Sequence, residues 1–255
     1  MITSTSNQQV RTIIQLQKKA KARQKHQLFI VEGLRIFEET PKELIDKIYV
    51  SNCFLSEHKD FLDGCKYEVV SDTVFARLAD TMNPQGILCA VKMGFLKNKI
   101  SGKGMTLILE NIQDPGNLGT MLRTAEGAGV SGVLMDKNTA DIFSPKVIRS
   151  TMGSIFRVPF QITDDLQSEM KRLQSKGVCI YAAHPESSRD YTDISYTGDI
   201  AFVIGNEGNG LTEQTANTAD TRVRIPMGGK LESLNAAVAA SVLLYEGRRQ
   251  LEGRV

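Results

Sequence analysis

The chain has 255 residues, of which 41% are hydrophobic and 24% charged, and its formal net charge is +2. This length accommodates one large or two modest domains, and the composition is ordinary for a soluble globular protein. The chain has no tryptophan, which excludes an indole cage, and no apolar run approaches the ~20 residues of a membrane span. Its four cysteines form no C-x-x-C pair and no signal-peptide pattern precedes them, which favours reduced thiols in a cytoplasmic protein.

Charge is unevenly distributed at the N-terminus. No aspartate or glutamate precedes Glu32, whereas six basic residues do: Arg11, Lys18, Lys19, Lys21, Arg23 and Lys25. Such a run is either a solvated helix face or tail, or an arm that contacts the phosphates of a nucleic acid. Charge alone leaves both interpretations open.

Residues 1–95 predict a small α/β domain. A helix is predicted over 7–26, where apolar residues recur at helical spacing. Strands are predicted over 28–31, 45–51, 67–71 and 86–92, and helices from residue 33 and over 73–80. Residues 96–104 are rich in lysine and glycine, which predicts a linker.

From residue 105 strands and helices alternate regularly. Strands are predicted over 106–109, 132–135, 178–182, 200–204 and 222–225, and helices over 117–126, from 144, over 164–176 and over 233–249. This alternation predicts a mainly parallel sheet with helices on both faces. The fold class is therefore α/β, with the second domain occupying residues 105–255.

Three polar segments of the second domain each follow a predicted strand and precede a helix. They are Asn111–Ala125 (NIQDPGNLGTMLRTA), Val203–Leu211 (VIGNEGNGL) and Ile225–Asn235 (IPMGGKLESLN). Ligands of open α/β sheets bind outside the carboxyl ends of the strands. The three turns therefore predict one shared pocket.

Each segment carries candidate functional side chains. In the first, an Asp-Pro-Gly turn predicts Asn117 at or near a helix N-cap, and Arg123 lies further along the same helix. Glu207, the sole acid of the second turn, either accepts from ribose hydroxyls or holds an arginine in place. The third segment has two polar residues where the last helix begins, Ser233 and Asn235.

The sequence lacks the motifs of several common ligand-binding sites. The chain has neither G-x-G-x-x-G after a strand nor G-x-x-x-x-G-K-[ST], so dinucleotide and nucleoside triphosphate cradles are not supported. Its three histidines have no metal-ligand spacing, so no metal is expected. What remains is a polar pocket suited to a group transfer that depends on positioning.

Taken together, the three segments closely resemble the motifs of the SpoU-type (TrmH-like) RNA 2′-O-ribose methyltransferases. N-x-x-D-P-x-N-x-G-x-x-x-R-T-A at 111–125, [VI]-x-G-x-E-G-x-G-L at 203–211 and I-P-M-x-G-x-x-x-S-L-N at 225–235 match in type, order and spacing. The likeness covers about residues 105–255. Residues 1–95 resemble, on V-E-G at 31–33 and overall layout, the L30e-like substrate-binding domain that often precedes it.

The resemblance implies a deep trefoil knot that holds S-adenosylmethionine, and a homodimer. Cofactor contacts are implied at Ile204, Gly205, Ile225, Met227, Leu234 and Asn235. By motif position Arg123 is the residue implied to activate the ribose 2′-hydroxyl, and the same pocket is lined by Asn117, Glu207, Ser233 and Asn235. Because the reference pKa of arginine exceeds ~12, Arg123 acts either as an unusual base or as a bidentate orienting group.

The resemblance thus predicts an S-adenosylmethionine-dependent RNA 2′-O-ribose methyltransferase acting on ribosomal RNA, with no metal and no membrane partner. A transfer RNA substrate is one alternative, and a non-catalytic RNA-binding protein is another. The two-domain layout favours ribosomal RNA by analogy with the family alone.

Overall fold

The computed structural model of the chain describes residues 1–94 and 99–253. The chain forms two compact units: Met1–Phe95 with Asp141–Phe156, and Leu96–Ala140 with Arg157–Val255. Residues 96–98 of the predicted linker lie outside the described residues, so the linker stays a prediction. In the described part, no helix combines the length and the apolar content that crossing a membrane requires.

The regular elements alternate along the chain. The strands are β1 Leu28–Glu32, β2 Ile45–Ser51, β3 Tyr67–Val70, β4 Ile87–Lys92, β5 Met105–Leu109, β6 Gly132–Asp136, β7 Phe160–Thr163, β8 Cys179–Ala183, β9 Ile200–Ile204 and β10 Thr221–Val223. The helices are α1 Gln8–Lys18, α2 Ala20–His26, α3 Leu34–Glu39, α4 Asn52–Glu57, α5 Asp72–Leu78, α6 Pro115–Gly127, α7 Pro145–Thr151, α8 Leu166–Gln174, α9 Glu213–Thr218 and α10 Ala236–Leu251. Short 3-10 turns cover Lys42–Leu44, Lys59–Leu62, Ser154–Phe156 and Tyr191–Asp193.

The first unit is built on a four-stranded sheet in the order β1-β4-β2-β3. β4 runs antiparallel to both of its neighbours, and β2 and β3 are parallel. The apolar stripe of α1, formed by Val10, Ile13 and Leu16, is buried in the same cluster as Ile30 and Tyr49 of the sheet. Burying one such aliphatic side chain stabilises a fold by about 1.5–3 kcal/mol, so α1 is part of the core.

The single helix predicted over 7–26 is wrong, because the chain forms two helices. Lys19 between them has extended backbone angles (φ −128°, ψ 116°). Arg23 then folds back, and its guanidinium donates to the carbonyl oxygens of Leu16 and Gln17 at the end of α1. These carbonyls have lost their helical partners, so the buried arginine stabilises the break.

The second unit has a six-stranded, wholly parallel sheet in the order β10-β8-β9-β5-β6-β7. Every residue of β5, β6 and β9 is buried, as expected of strands covered on both faces. Val203 packs in one cluster with residues of α8 and α9. Phe202, which precedes Val203 and therefore points to the opposite face of the sheet, packs against Gly247 of α10. A Cβ added to Gly247 would lie 2.8 Å from the Phe202 ring. The predicted parallel sheet with helices on both faces is confirmed.

Candidate active site

The first and second polar segments follow neighbouring strands of the second sheet. β5 and β9 are neighbouring parallel strands, and their last residues, Leu109 and Ile204, are paired. The N–H of Glu110 donates to the carbonyl oxygen of Ile204 at 2.9 Å. The third segment follows β10, which is parallel to the same strands. All three turns therefore begin at the carboxyl edge of one sheet, as the sequence predicts.

A carboxylate and two side-chain amides join the three segments. Glu207 accepts hydrogen bonds from the backbone N–H groups of Gln113 and Asp114, both at 3.1 Å. It also accepts from Nδ2 of Asn117 at 3.0 Å. The other end of that amide, Oδ1 of Asn117, accepts from Nδ2 of Asn235 at 3.1 Å. Glu207, Asn117 and Asn235 are thus brought together, and we call them the polar cluster.

The hydrogen bonds of Glu207 stabilise its charged form. Burial disfavours its ionised form, but the hydrogen bonds from Asn117 and from backbone N–H groups outweigh burial and hold the pKa of the carboxyl below its ordinary value. Glu207 is therefore an anion at neutral pH and an acceptor in the cluster. Within the described residues no arginine pairs with it, so its partners here are loop amides.

The N-cap of α6 is Asp114, and not Asn117. The Asp114 carboxylate accepts from the backbone N–H of Asn117 at 2.9 Å, and Pro115 occupies the first turn. Proline is favoured at the first helical position and aspartate at the N-cap. The Asp-Pro pair was the available signal, and it leaves the Asn117 side chain free to bridge Glu207 and Asn235.

Arg123 lies on α6, six positions after Asn117, and its side chain is exposed. Its neighbours Leu122 and Ala125 are buried and fix the helix on the sheet. In the part of the chain that the structure describes, the guanidinium has no hydrogen bond or ion pair, and it is not joined to the polar cluster. Arg123 therefore has all five N–H donors free for a ligand.

The glycine turn after β9 requires its first glycine. A Cβ on Gly205 would collide with the backbone of Gly210 and Leu211. This close approach lets Asn206 and Gly210 exchange two backbone hydrogen bonds of 3.0 and 2.9 Å. Only glycine allows the turn to close in this way.

The third segment is less regular than the other two. Asn235 is the N-cap of α10, with Oδ1 accepting from the N–H of Ala237 at 2.9 Å. Ser233 is exposed, and its hydroxyl has no partner among the described residues. Three residues of this segment with an implied cofactor role are partly buried, namely Ile225, Met227 and Leu234.

Comparison with known proteins assigns this arrangement to a family. Residues 104–245 match the model of the SpoU rRNA Methylase family, and this range holds all three polar segments. The chain belongs to the SpoU rRNA methylase family. The family predicted from the three motifs is therefore confirmed. Residues 7–89 also match the MRM3-like substrate binding domain.

Individual members of the SpoU family align over two thirds or more of the chain. The 23S rRNA (guanosine(2553)-2′-O)-methyltransferase RlmP of Bacillus subtilis (strain 168) is 33% identical over 97% of this chain and 98% of its own. The 23S rRNA (guanosine-2′-O-)-methyltransferase RlmB of Ralstonia nicotianae is 34% identical over 68% of this chain and 72% of its own. The crystal structure of an AdoMet-bound rRNA methyltransferase from Sinorhizobium meliloti superposes with a TM-score of 0.84, at 30% identity, over 98% of this chain and 97% of its own.

Two buried acids of this SpoU domain were missed by the sequence analysis. Glu110 accepts from the N–H and the hydroxyl of Thr212, at 2.8 and 2.9 Å, just beyond the glycine turn. Asp136 accepts from the N–H of Asn111 at 2.9 Å and from Thr139. Glu110 directly follows β5 and Asp136 ends β6, and a charged residue at the end of a buried strand is the signal that could have identified each acid.

Proposed function

We propose that this SpoU-family chain is an S-adenosylmethionine-dependent RNA 2′-O-ribose methyltransferase that acts on ribosomal RNA. The observation that carries the proposal is the polar cluster, in which Asn117, Glu207 and Asn235 link the three family motifs at one edge of the sheet. The names of the relatives that align over most of the chain support both the reaction and the ribosomal substrate.

The residues at this edge fit S-adenosylmethionine. Residues 225–234 make no backbone–backbone hydrogen bond within the described residues, so their peptide groups are free to bind the polar edge of an adenine. We propose that these backbone groups hold the adenosine together with four partly or fully buried residues of the two turns, Ile204, Gly205, Met227 and Leu234, and that Ile225 and Asn235 border it. When bound, S-adenosylmethionine supplies an electrophilic methyl group on its sulfonium.

Arg123 is the proposed group that acts on the RNA. A guanidinium with reference pKa above ~12 stays protonated at neutral pH, and its planar fork binds two oxygen atoms at once. We therefore propose that Arg123 orients the ribose 2′-hydroxyl and the neighbouring phosphate. In this proposal Asn117 and Glu207 hold the start of α6, the helix that carries Arg123. Ser233, with a free hydroxyl, lines the same pocket.

The first unit is the proposed RNA-binding unit. Five basic residues of α1, α2 and the break between them are exposed and have no ion pair in the described part of the chain: Arg11, Lys18, Lys19, Lys21 and Lys25. Unpaired surface cations are the groups that contact nucleic-acid phosphates. The match of residues 7–89 to a substrate-binding domain supports this division of labour.

We further propose a homodimer in the cytoplasm. α10 is rich in small residues and exposes Val238 and Tyr245, at 48% and 51%, and such an apolar helix face suits a second copy of the chain. All four cysteines are free thiols, as expected in a reducing compartment. Sedimentation equilibrium of the purified protein measures the oligomeric state directly.

Methyl transfer with purified components tests the function. Wild-type protein is incubated with methyl-labelled S-adenosylmethionine and, separately, with ribosomal RNA and transfer RNA from a strain that lacks the enzyme. We expect label in ribosomal RNA, on the 2′-oxygen of one nucleotide. Label in transfer RNA alone would overturn the substrate assignment. Cofactor and RNA binding without transfer would favour the non-catalytic alternative.

A further inference from the structure

The loop that follows β5 is held from one side by Asp136. The backbone of Asn111 is left-handed, with φ 55°, a conformation that few residues other than glycine adopt but that asparagine tolerates. Its N–H donates to Oδ1 of Asp136 at 2.9 Å. This contact fixes one side of the Asn111 peptide, at the first residue of the first family motif.

The other side of the same residue is held by Asn206. Nδ2 of Asn206 donates to the carbonyl oxygen of Asn111 at 2.8 Å. Its Oδ1 accepts from the N–H groups of Gly208 and Asn209, at 2.9 and 3.0 Å, inside the glycine turn. Reversing the amide would set its NH₂ group against two N–H donors and its oxygen against a carbonyl, so the hydrogen bonds fix its orientation.

Asn206 and its neighbour Glu207 therefore bind consecutive parts of one loop. Asn206 binds the carbonyl of Asn111, and Glu207 binds the N–H groups of Gln113 and Asp114. Asp114 is the N-cap of α6. Because a helix moves as a rigid element, the placement of this loop sets the placement of Arg123 further along it.

We propose that Asn206 is a positioning residue for methyl transfer: its amide sets the loop at 111–114, and so α6, against the glycine turn. The inference rests on the proposed function, because Ile204 and Gly205, directly before Asn206, are proposed cofactor contacts and α6 carries Arg123. A displacement of about 1 Å in reacting groups lowers a rate by up to ~100-fold. The expected effect of losing the Asn206 brace is therefore on turnover.

The test compares two substitutions of the same kind in the same turn. Asn206→Asp keeps an acceptor for Gly208 and Asn209 but places a carboxylate oxygen against the Asn111 carbonyl. Asn209→Asp is the matched control, because the Asn209 side chain has no partner among the described residues. Asn206→Ser, uncharged and too short to reach Asn111, separates loss of the donor from added charge.

We expect Asn206→Asp and Asn206→Ser to lower kcat by about 10- to 100-fold while the KM for S-adenosylmethionine changes by less than about threefold. Asn209→Asp is expected to match wild type. A raised KM with unchanged kcat would indicate a role in cofactor binding and overturn the proposal. Equal losses in Asn206→Asp and Asn209→Asp would attribute the effect to charge, with the same consequence.

Hydrogen exchange provides a readout that does not need the reaction. In the Asn206 variants the amides of Gln113 and Asp114 should exchange faster than in wild type, at unchanged melting temperature. Unaltered exchange, or a parallel fall in melting temperature, would overturn the positioning role. If wild type transfers no methyl group, the proposed function fails, and the exchange measurement still decides whether Asn206 sets this loop.

Discussion

At the scale of single residues, substitutions of Arg123 can show whether it orients the ribose 2′-hydroxyl or removes its proton. We expect Arg123→Ala to lower kcat by about 10²- to 10³-fold, the cost of losing one preorganised donor group. Arg123→Lys keeps the charge but loses the planar fork, so it should restore little of the rate. The measurement is single-turnover methyl transfer over a range of pH.

An exposed cation on the opposite side of the sheet serves as the control for Arg123. Lys171→Ala on α8 is expected to leave the rate unchanged. If Arg123 were the base, Arg123→Lys would shift the rising limb of the pH–rate profile, since the reference pKa of lysine, ~10.4, lies well below that of arginine. An unshifted profile with a reduced plateau is the outcome that orientation predicts.

Glu207 makes the stability of the folded protein depend on pH, and the direction of this dependence follows from the lowered pKa of its carboxyl. Because hydrogen bonds lower the pKa of the folded carboxyl below 4.5, the stabilisation that Glu207 provides is fully present above pH 4.5. It is lost as the pH falls through the lower folded value. Glu207→Gln should therefore melt at a lower temperature than wild type near pH 7, and the two curves should converge below pH 4.5. Scanning calorimetry of both proteins at matched ionic strength measures this, and a constant difference down to acid pH would contradict it.

The sequence located the polar cluster but not its internal geometry. Glycines and polar residues at the carboxyl ends of apolar strands predicted that Asn117, Glu207 and Asn235 would converge, because parallel strands end at one edge. Which donor meets which acceptor depends on angstrom-scale placement of the turns. For that reason the sequence placed Asn117 only at or near the N-cap, which is Asp114, and the amide of Asn206 was not singled out.

At the scale of elements, α1 and α2 combine a core face with a basic face. The exposed lysines of this pair are Lys18, Lys19, Lys21 and Lys25. We expect replacement of these four lysines by glutamine to weaken RNA binding and to reduce the slope of log K against log salt by about 0.7–0.9 for each phosphate that the variant leaves unneutralised. Filter binding to ribosomal RNA at several salt concentrations measures the affinity and the slope. An unchanged slope would mean that these lysines are a solvated surface that does not contact RNA.

The choice of variant matters because Arg23 belongs to the core and not to the basic face. Arg23 is 4% exposed and its guanidinium pairs with Asp141 within the first unit. Deleting α1 and α2 would remove this pair and the buried stripe of α1 together, so a loss of RNA binding could reflect unfolding. The four lysines are exposed, and their replacement tests charge alone.

Elements with strong apolar patterns were predicted closely, whereas β7 and α4 were missed. β5, β6 and β9 are mainly apolar and were predicted within one residue at each end. β7 was missed, since it has four residues, lies at the sheet edge and leaves Ile162 49% exposed. α4, with six residues, is too short to show a helical period and was also missed.

At the scale of the whole molecule, one segment belongs to a unit that its sequence position does not suggest. Asp141–Phe156 lies between β6 and β7 of the second unit's sheet but packs in the first unit. Residue spacing reports local periodicity, and this assignment depends on contacts more than 100 positions apart along the chain, such as Arg23 with Asp141. The trefoil knot implied by the family resemblance is a property of the same scale and stays a prediction.

Phe143 tests whether this segment is required for the stability of the first unit. Its ring lies 5.0 Å from that of Phe29 in β1, and both side chains are buried. Phe143→Ala should lower the free energy of unfolding by about 3–5 kcal/mol, because apolar burial is reduced and a cavity is left beside Phe29. Ser150→Ala, a surface change in the same segment, should stay within about 0.5 kcal/mol of wild type. Urea unfolding followed by circular dichroism measures both, and equal stability of the two variants would mean that the first unit folds without the segment.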